Sequence, residues 1–418
     1  ILASAAMSSN RPTRPPAIAD PPCPNDATRD PPRWRAEHPG GPTVSLPPVS
    51  DSERQFDIVV YGATSFVGQI TCRHLVERHG TDGRLRWAIA GRSAAKLDEV
   101  AASTGAEVER IVADASDETA LAEMAESTRV VISTVGPYAL YGSPLVAAVS
   151  SAGTDYCDLT GETQWIRQMI DTHQGDAEAS GARVLNACGF DSIPSDVGVW
   201  FTQQQAQAQL GEACDRISMR VHGTRGGASG GTIASMLNLV EEAVADKELR
   251  RLLADPYALN PADLRNGPKQ PDTTRPTRDP ETGEWLAPFV MAAVNTRVVQ
   301  RTHALLGRPW GPGFRYDEAM DMGRGPLGAA KATGLTAGLG VGMGALALGP
   351  TRNLARRFLP KPGDGPSPEA QLAGFFDLRF NGWTPSGRRA RTRVTGDRDP
   401  GYGATARMLG ETAAALLD

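Results

Sequence analysis

Phe56-Asp57-Ile58-Val59-Val60-Tyr61-Gly62-Ala63-Thr64-Ser65-Phe66-Val67-Gly68 is the stretch from which the rest of the chain is read. Its first six residues are nearly all apolar and favour β structure. They predict a strand buried on both faces, the habit of parallel sheets covered by helices on either side. Gly62 ends the run, and residues 66–78 have helical character. A glycine spacing alone is weak evidence, but at the strand-to-helix turn of a βαβ unit it points to a dinucleotide phosphate cradle. Gly62 permits the tight bend, small Ser65 lets the backbone approach a pyrophosphate, and Gly68 lets the helix lie close on the strand. First-turn amides then face the phosphates. Ala63, Thr64, Phe66 and Val67 complete this candidate cofactor-binding turn.

Outward from that turn, strands are predicted over 85–90, 108–113, 129–135, 154–158 and 184–187, alternating with helices over 94–103, 119–126 and 144–152. The alternation implies right-handed crossovers and an α/β fold, a Rossmann-like doubly wound parallel sheet. The second strand ends in Gly91-Arg92-Ser93, where an NAD-selective site usually carries Asp or Glu for the ribose hydroxyls. Arg92, with Ser93 beside it, suits a 2′-phosphate instead and points to NADP. Asp114 follows the third strand, where adenine is contacted. Thr134, Gly136 and Pro137 follow the fourth, beside the expected nicotinamide. Tyr138 is a candidate for ordering substrate or donating a proton, set against simple packing. No Tyr-x-x-x-Lys pair follows the fourth strand, which counts against a short-chain dehydrogenase mechanism.

Asp158, Glu162, Asp191 and Asp196 all fall at strand ends or in the loops after them. They suit substrate positioning or proton relay, and equally the capping of helices. From about Val197 the character changes. Residues 216–222 alternate, with Ile217, Met219 and Val221 on one face of a half-buried strand. A helix over 232–245 is entered through glycine-rich 226–231, residues 255–288 read as a long surface loop, and a helix covers 291–306. Strands follow over 375–380 and 391–395, and a last helix over 407–417. This is an α+β arrangement on a largely antiparallel sheet.

Net charge is −5, which argues against general nucleic-acid binding. The five cysteines show no Cys-x-x-Cys spacing and the six histidines no cluster, so neither a disulfide framework nor a metal site is expected. Twelve of the 32 prolines fall in residues 1–54, which read as a disordered tail. A secretory signal is not expected, Met7 is a candidate start, and the plain reading is a cytoplasmic protein. The segment 332–349 has no charge and six glycines in 18 residues. It fits three descriptions: a buried glycine-rich core helix, an interfacial element meeting a membrane surface or a long acyl chain, or a membrane span.

The combination of 61–68, Ala90-Gly91-Arg92-Ser93, Val135-Gly136-Pro137-Tyr138, Tyr156-Cys157-Asp158-Leu159-Thr160-Gly161-Glu162 and Gly189-Phe190-Asp191-Ser192-Ile193-Pro194-Ser195-Asp196 resembles the saccharopine dehydrogenase-like oxidoreductases. Within them it is most similar to the actinobacterial branch described as trans-acting enoyl reductases. The resemblance runs from about Phe56 to the C-terminus, without the substrate-reading set of true saccharopine dehydrogenases. It implies NADP(H) use, reduction of an enoyl double bond of a lipid or polyketide acyl chain, and a polyketide synthase or acyl carrier as partner. It further implies a dinucleotide-binding domain over 55–196 with helix 404–418 packed back on it, and a substrate or dimerisation domain over 197–403, in which a homodimer would form. Two alternatives stand beside it: an oxidoreductase acting on an imine or carbonyl, and an inactive NADP-binding sensor or lipid-associated adaptor.

Overall fold

The computed structural model describes residues 54–226, 230–351 and 365–418. The tail, apart from Arg54, lies outside them, as do Arg352, Arg356 and Arg357.

The first sheet has six parallel strands: β1 (Phe56–Tyr61), β2 (Trp87–Gly91), β3 (Glu109–Val112), β4 (Thr128–Ser133), β5 (Asp155–Asp158) and β6 (Val184–Leu185), in the order β3-β2-β1-β4-β5-β6. The order reverses between β1 and β4, the switch point outside which ligands bind in such sheets. Alternation along the strands supplies two cores. Val59, Tyr61, Ala88, Ala90, Val131 and Tyr156 point to one face, under α3 (Glu118–Ser127), α4 (Tyr138–Tyr141), α5 (Ser143–Ala152) and α6 (Thr163–Ser180). Ile58, Val60, Ile89, Val130, Ile132 and Cys157 point to the other, under α1 (Phe66–His79) and α2 (Ala94–Thr104). Both faces of β1, β2 and β4 are covered, which is why these strands read as largely apolar runs, whereas the edge strand β3 is mostly exposed.

The second sheet joins α7 (Ile193–Leu210) to the rest of the chain. Its strands are β7 (Arg216–Arg225), β8 (Thr277–Arg278), β9 (Trp285–Ala287), β10 (Arg315–Asp321), β11 (Phe375–Trp383) and β12 (Arg389–Gly396), in the order β12-β11-β7-β10-β9-β8. Neighbours are antiparallel except β7 and β10, so the sheet is mixed. Ile217, Met219, Val221, Tyr316, Leu378 and Phe380 build its core with Val199 of α7 and Val299 of α10 (Ala292–Leu305). The other face of β7 is buried too, against expectation. Arg220 donates to Asp317 at 2.6 Å and Asp279 at 3.2 Å, and pairing lets these charges leave water. Residues 255–288 are not all surface loop, since Ala258, Leu259 and Asn260 are fully enclosed.

α8 (Gly230–Ala245), α9 (Lys247–Ala254) and α12 (Pro368–Leu372) complete the sheet's surroundings, and α13 (Thr405–Ala415) ends the chain. Leu409, Ala413 and Leu416 enter the core beside α1, and Arg129 and Arg183 donate to the Leu417 and Leu416 carbonyls.

α11 (Gly325–Ala347) corrects the buried-core reading of 332–349. Among its residues only Gly328 and Ala332 are buried. Leu327 is 67% exposed, Val341 75% and Met343 48%, and residues 340–344 are exposed on every side. Among the described residues no helix is long and apolar enough to cross a membrane, so the span reading falls as well.

Candidate active site

The turn after β1 is built as its glycines require. Gly62 has φ +83°, and a Cβ there would lie 2.7 Å from Val135 Cγ2 and 2.8 Å from Thr134 Oγ1. At Gly68 a Cβ would press on the Gly62 carbonyl and lie 2.9 Å from Ala63 Cα, so α1 approaches the strand only because that carbon is missing. Ser65 does more than stay small. Its hydroxyl accepts from the Gly68 amide at 2.9 Å, capping α1, and meets Thr134 Oγ1 at 2.9 Å. Thr134 in turn donates to the Gly62 carbonyl at 2.8 Å, lashing the turn to the end of β4. The first-turn amides of Phe66 and Val67 have no acceptor among the described residues, the arrangement that receives a phosphate. Phe66 aims its ring away from the turn, edge-on to Tyr402 at 5.1 Å, and Val67 packs beside it; Thr64 stays partly exposed.

Arg92 is exposed at the end of β2 and makes no ion pair among the described residues. Ser93 caps α2, accepting from the Lys96 amide at 3.4 Å. Lys96, on the first turn of that helix, adds a second exposed cation that the strand-end reading passed over. Its signal was local: a lysine three residues after a capping serine. Asp114 lies two residues past β3, accepts from the Ser116 amide at 3.0 Å and hydroxyl at 2.7 Å, and those bonds with nearby Arg92 hold its carboxyl below the usual range.

Gly136-Pro137 is a cis bond, and the turn it makes is held by Glu162. That carboxylate accepts from the Tyr138 amide at 2.9 Å, the Ala139 amide at 2.8 Å and Ser235 of α8 at 2.8 Å. Ser235 is a positioning residue that nothing local in the sequence marks. Tyr138 itself is placed for packing. It is buried, 5.4 Å from the Trp165 ring, and its hydroxyl donates to the Ser133 carbonyl at 3.0 Å. Burial pushes its pKa well up. Its O–H is turned toward the Ser133 carbonyl, an arrangement that favours the packing reading of Tyr138 over proton donation.

The sites after β5 and β6 divide the acidic residues by role. Asp158 is enclosed and accepts from the Thr160 and Ala187 amides at 3.0 Å, Asn186 at 2.7 Å and Tyr156 at 3.0 Å. Asp196 accepts from Thr302 at 2.8 Å. Ser192, Asn295, Ser195, Glu318 and Tyr316 form one buried polar chain, tying the start of α7 to the second sheet. Burial raises Glu318 to about 7. Among the described residues no group of acidic, histidine or cysteine side chains gathers as metal ligands do.

Comparison with known proteins follows the same outline. A family profile described as the saccharopine dehydrogenase NADP binding domain matches residues 58–185. A Mycobacterium tuberculosis protein with the provisional name trans-acting enoyl reductase is 44% identical over 381 residues, 87% of this chain and 89% of that protein. A trans-acting enoyl reductase of Mycobacterium ulcerans is 40% identical over 383 residues, 88% of this chain and 90% of that protein. Among solved structures, apo saccharopine dehydrogenase from Saccharomyces cerevisiae aligns over 86% of this chain and 89% of its own, with a TM-score of 0.44 and 14% identity.

Proposed function

This chain belongs to the trans-acting enoyl reductase family of saccharopine dehydrogenase-like, NADP-dependent oxidoreductases, and from that premise we propose that it reduces the double bond of an α,β-unsaturated acyl chain. The observation that carries the cofactor half is the cradle: two glycines that tolerate no Cβ, two open first-turn amides, Arg92 where an NAD site would carry an acid, and Lys96 on the helix turn that follows. When bound, NADPH supplies a hydride. The chain's part is to hold and orient. The 62–68 turn takes the pyrophosphate, Arg92 and Lys96 the 2′-phosphate, and Glu162 fixes the 136–139 turn through two backbone amides and Ser235.

The relatives' names speak of acting in trans, which supports a separate polyketide synthase or its acyl carrier as the bearer of the substrate. The test is NADPH consumption with 2-enoyl thioesters against ketones and imines of matched chain length. Turnover of the enoyl compounds supports the reading. Turnover of imines or ketones alone supports the alternative oxidoreductase reading and sinks this one.

α11 supports a second element of the proposal, contact with a lipid surface or a long acyl chain. Its outer half is apolar, with residues 340–344 exposed and Leu339 and Leu346 partly covered. Water is a poor medium for such a helix, and a lipid interface covers all of it at once. Flotation with anionic liposomes checks this: the wild type is expected to float, and Val341→Asp with Met343→Asp to stay below. Both positions are exposed, so folding tolerates the change. Wild type and variant behaving alike in this assay contradicts the idea.

A further inference from the structure

Four carboxylates line the carboxyl rim of the parallel sheet or the loops beyond it, and two of them are saturated by donors. Asp158 is saturated by four donors and Glu162 by three, while Asp196 accepts from Thr302 on one oxygen and keeps the other buried without a partner among the described residues, at the start of α7. Asp191 differs. Among the described residues no side chain donates to it, and its carboxyl takes a hydrogen bond from its own backbone amide. It lies in the loop between β6 and α7, on the same rim as the 62–68 and 134–138 turns. The strand order runs from β1 through β4 and β5 to β6, so this loop lies past the end of the site opposite Arg92.

The loop is pinned on both sides of Asp191. The Phe190 amide donates to Thr405 at 2.9 Å, and the Phe190 ring meets Phe376 of the second sheet at 5.0 Å. Ser192 donates to Asn295 at 3.1 Å. Gly189 leaves room for the carboxyl, since a Cβ there would lie 3.1 Å from Asp191 Oδ2. A carboxyl with no side-chain donor among the described residues, in a loop held this firmly beside Asp158 and Tyr138, is placed to meet a substrate.

We propose that Asp191 is the proton donor of this reductase, an inference that rests on the enoyl reading above. The acyl double bond takes a hydride at its β-carbon, supplied by NADPH, and the electron pair moves onto the thioester as an enolate. Asp191 gives its proton to the α-carbon, closing a saturated chain. The carboxylate then regains a proton from solvent, so one NADPH and one proton are consumed per double bond. The environment suits an acid. Burial, reinforced by the negative charge of Asp158, raises the Asp191 carboxyl to about 7. The other titratable groups that face it are Tyr138 of α4 and Cys188 of its own loop, both held neutral by burial.

Two measurements test this. In the full chain labelled with carboxyl-¹³C aspartate, the Asp191 resonance is expected to titrate near neutrality and to move on addition of NADP⁺. Asp191→Asn assigns it, and Asp191→Glu serves if that variant fails to fold. A resonance titrating in the ordinary carboxylate range, or indifferent to NADP⁺, overturns the proposal. In turnover of a 2-enoyl thioester, Asp191→Asn is expected to lower kcat about 100-fold or more, the usual contribution of a general acid. NADPH affinity should stay within about twofold, since no cofactor contact is lost. Asp191→Glu should restore part of kcat, and wild-type kcat should fall as pH rises through about 7. Wild-type turnover by Asp191→Asn overturns the assignment. Should no enoyl thioester react while the resonance behaves as expected, the acid stands and the enoyl reading falls.

Discussion

NADPH affinity is expected to drop roughly 5- to 150-fold in Gly68→Ala, from the ~1–3 kcal/mol typical of forcing a methyl into filled space. Alanine ordinarily strengthens a helix relative to glycine by up to about 1 kcal/mol. Here the new carbon meets backbone on two sides, the Gly62 carbonyl and Ala63 Cα, and neither is the end of a flexible side chain. α1 must therefore move outward, taking the Phe66 and Val67 amides away from the phosphate. Gly338→Ala on α11 is the control, because a Cβ there meets nothing within 4 Å. That variant should bind NADPH as the wild type does and melt no earlier. Unchanged binding in Gly68→Ala, measured by NADPH fluorescence, would contradict the cradle.

Arg92→Ala should weaken NADPH about tenfold and leave NADH nearly untouched. A charge-assisted hydrogen bond contributes on the order of 1.5–3 kcal/mol, and the exposure of Arg92 places it at the lower end because solvent screens the pair. Lys96→Ala should act in the same direction with a smaller effect, and added salt should shrink both. Equal losses for NADPH and NADH would remove Arg92 from the 2′-phosphate site.

Much of the first sheet was legible because its information is local. Strands with both faces covered announce themselves as apolar runs, and the 62–68 turn depends on backbone geometry that only glycine and small residues allow. Boundaries moved by little: the strand expected over 85–90 runs Trp87–Gly91. The second sheet was harder. β10 and the polar face of β7 carry Asp317 and Arg220, charges that read as solvent-facing until their mutual pairing is known. The segment 332–349 stayed open among three readings because apolarity says that a helix avoids water without saying what covers it. The acidic residues show the same limit within the site. Asp158, Glu162, Asp191 and Asp196 look alike in sequence, and only tertiary donors tell them apart: Asp158 and Glu162 are saturated, Asp196 keeps one oxygen unpaired, and Asp191 has no side-chain donor among the described residues. Tyr138 stood open between substrate ordering and packing in the sequence, and its hydroxyl donates to a carbonyl five residues away, which local sequence does not announce.

The most direct test of the central claim follows the hydrogen itself. The protein would be incubated with NADPH doubly deuterated at C4 and a 2-enoyl thioester, and the acyl product weighed and fragmented. The account predicts a saturated chain carrying one deuterium at the β-carbon and one solvent hydrogen at the α-carbon. An unchanged double bond, with deuterium appearing only in an alcohol or amine when carbonyl or imine substrates are offered instead, would contradict it.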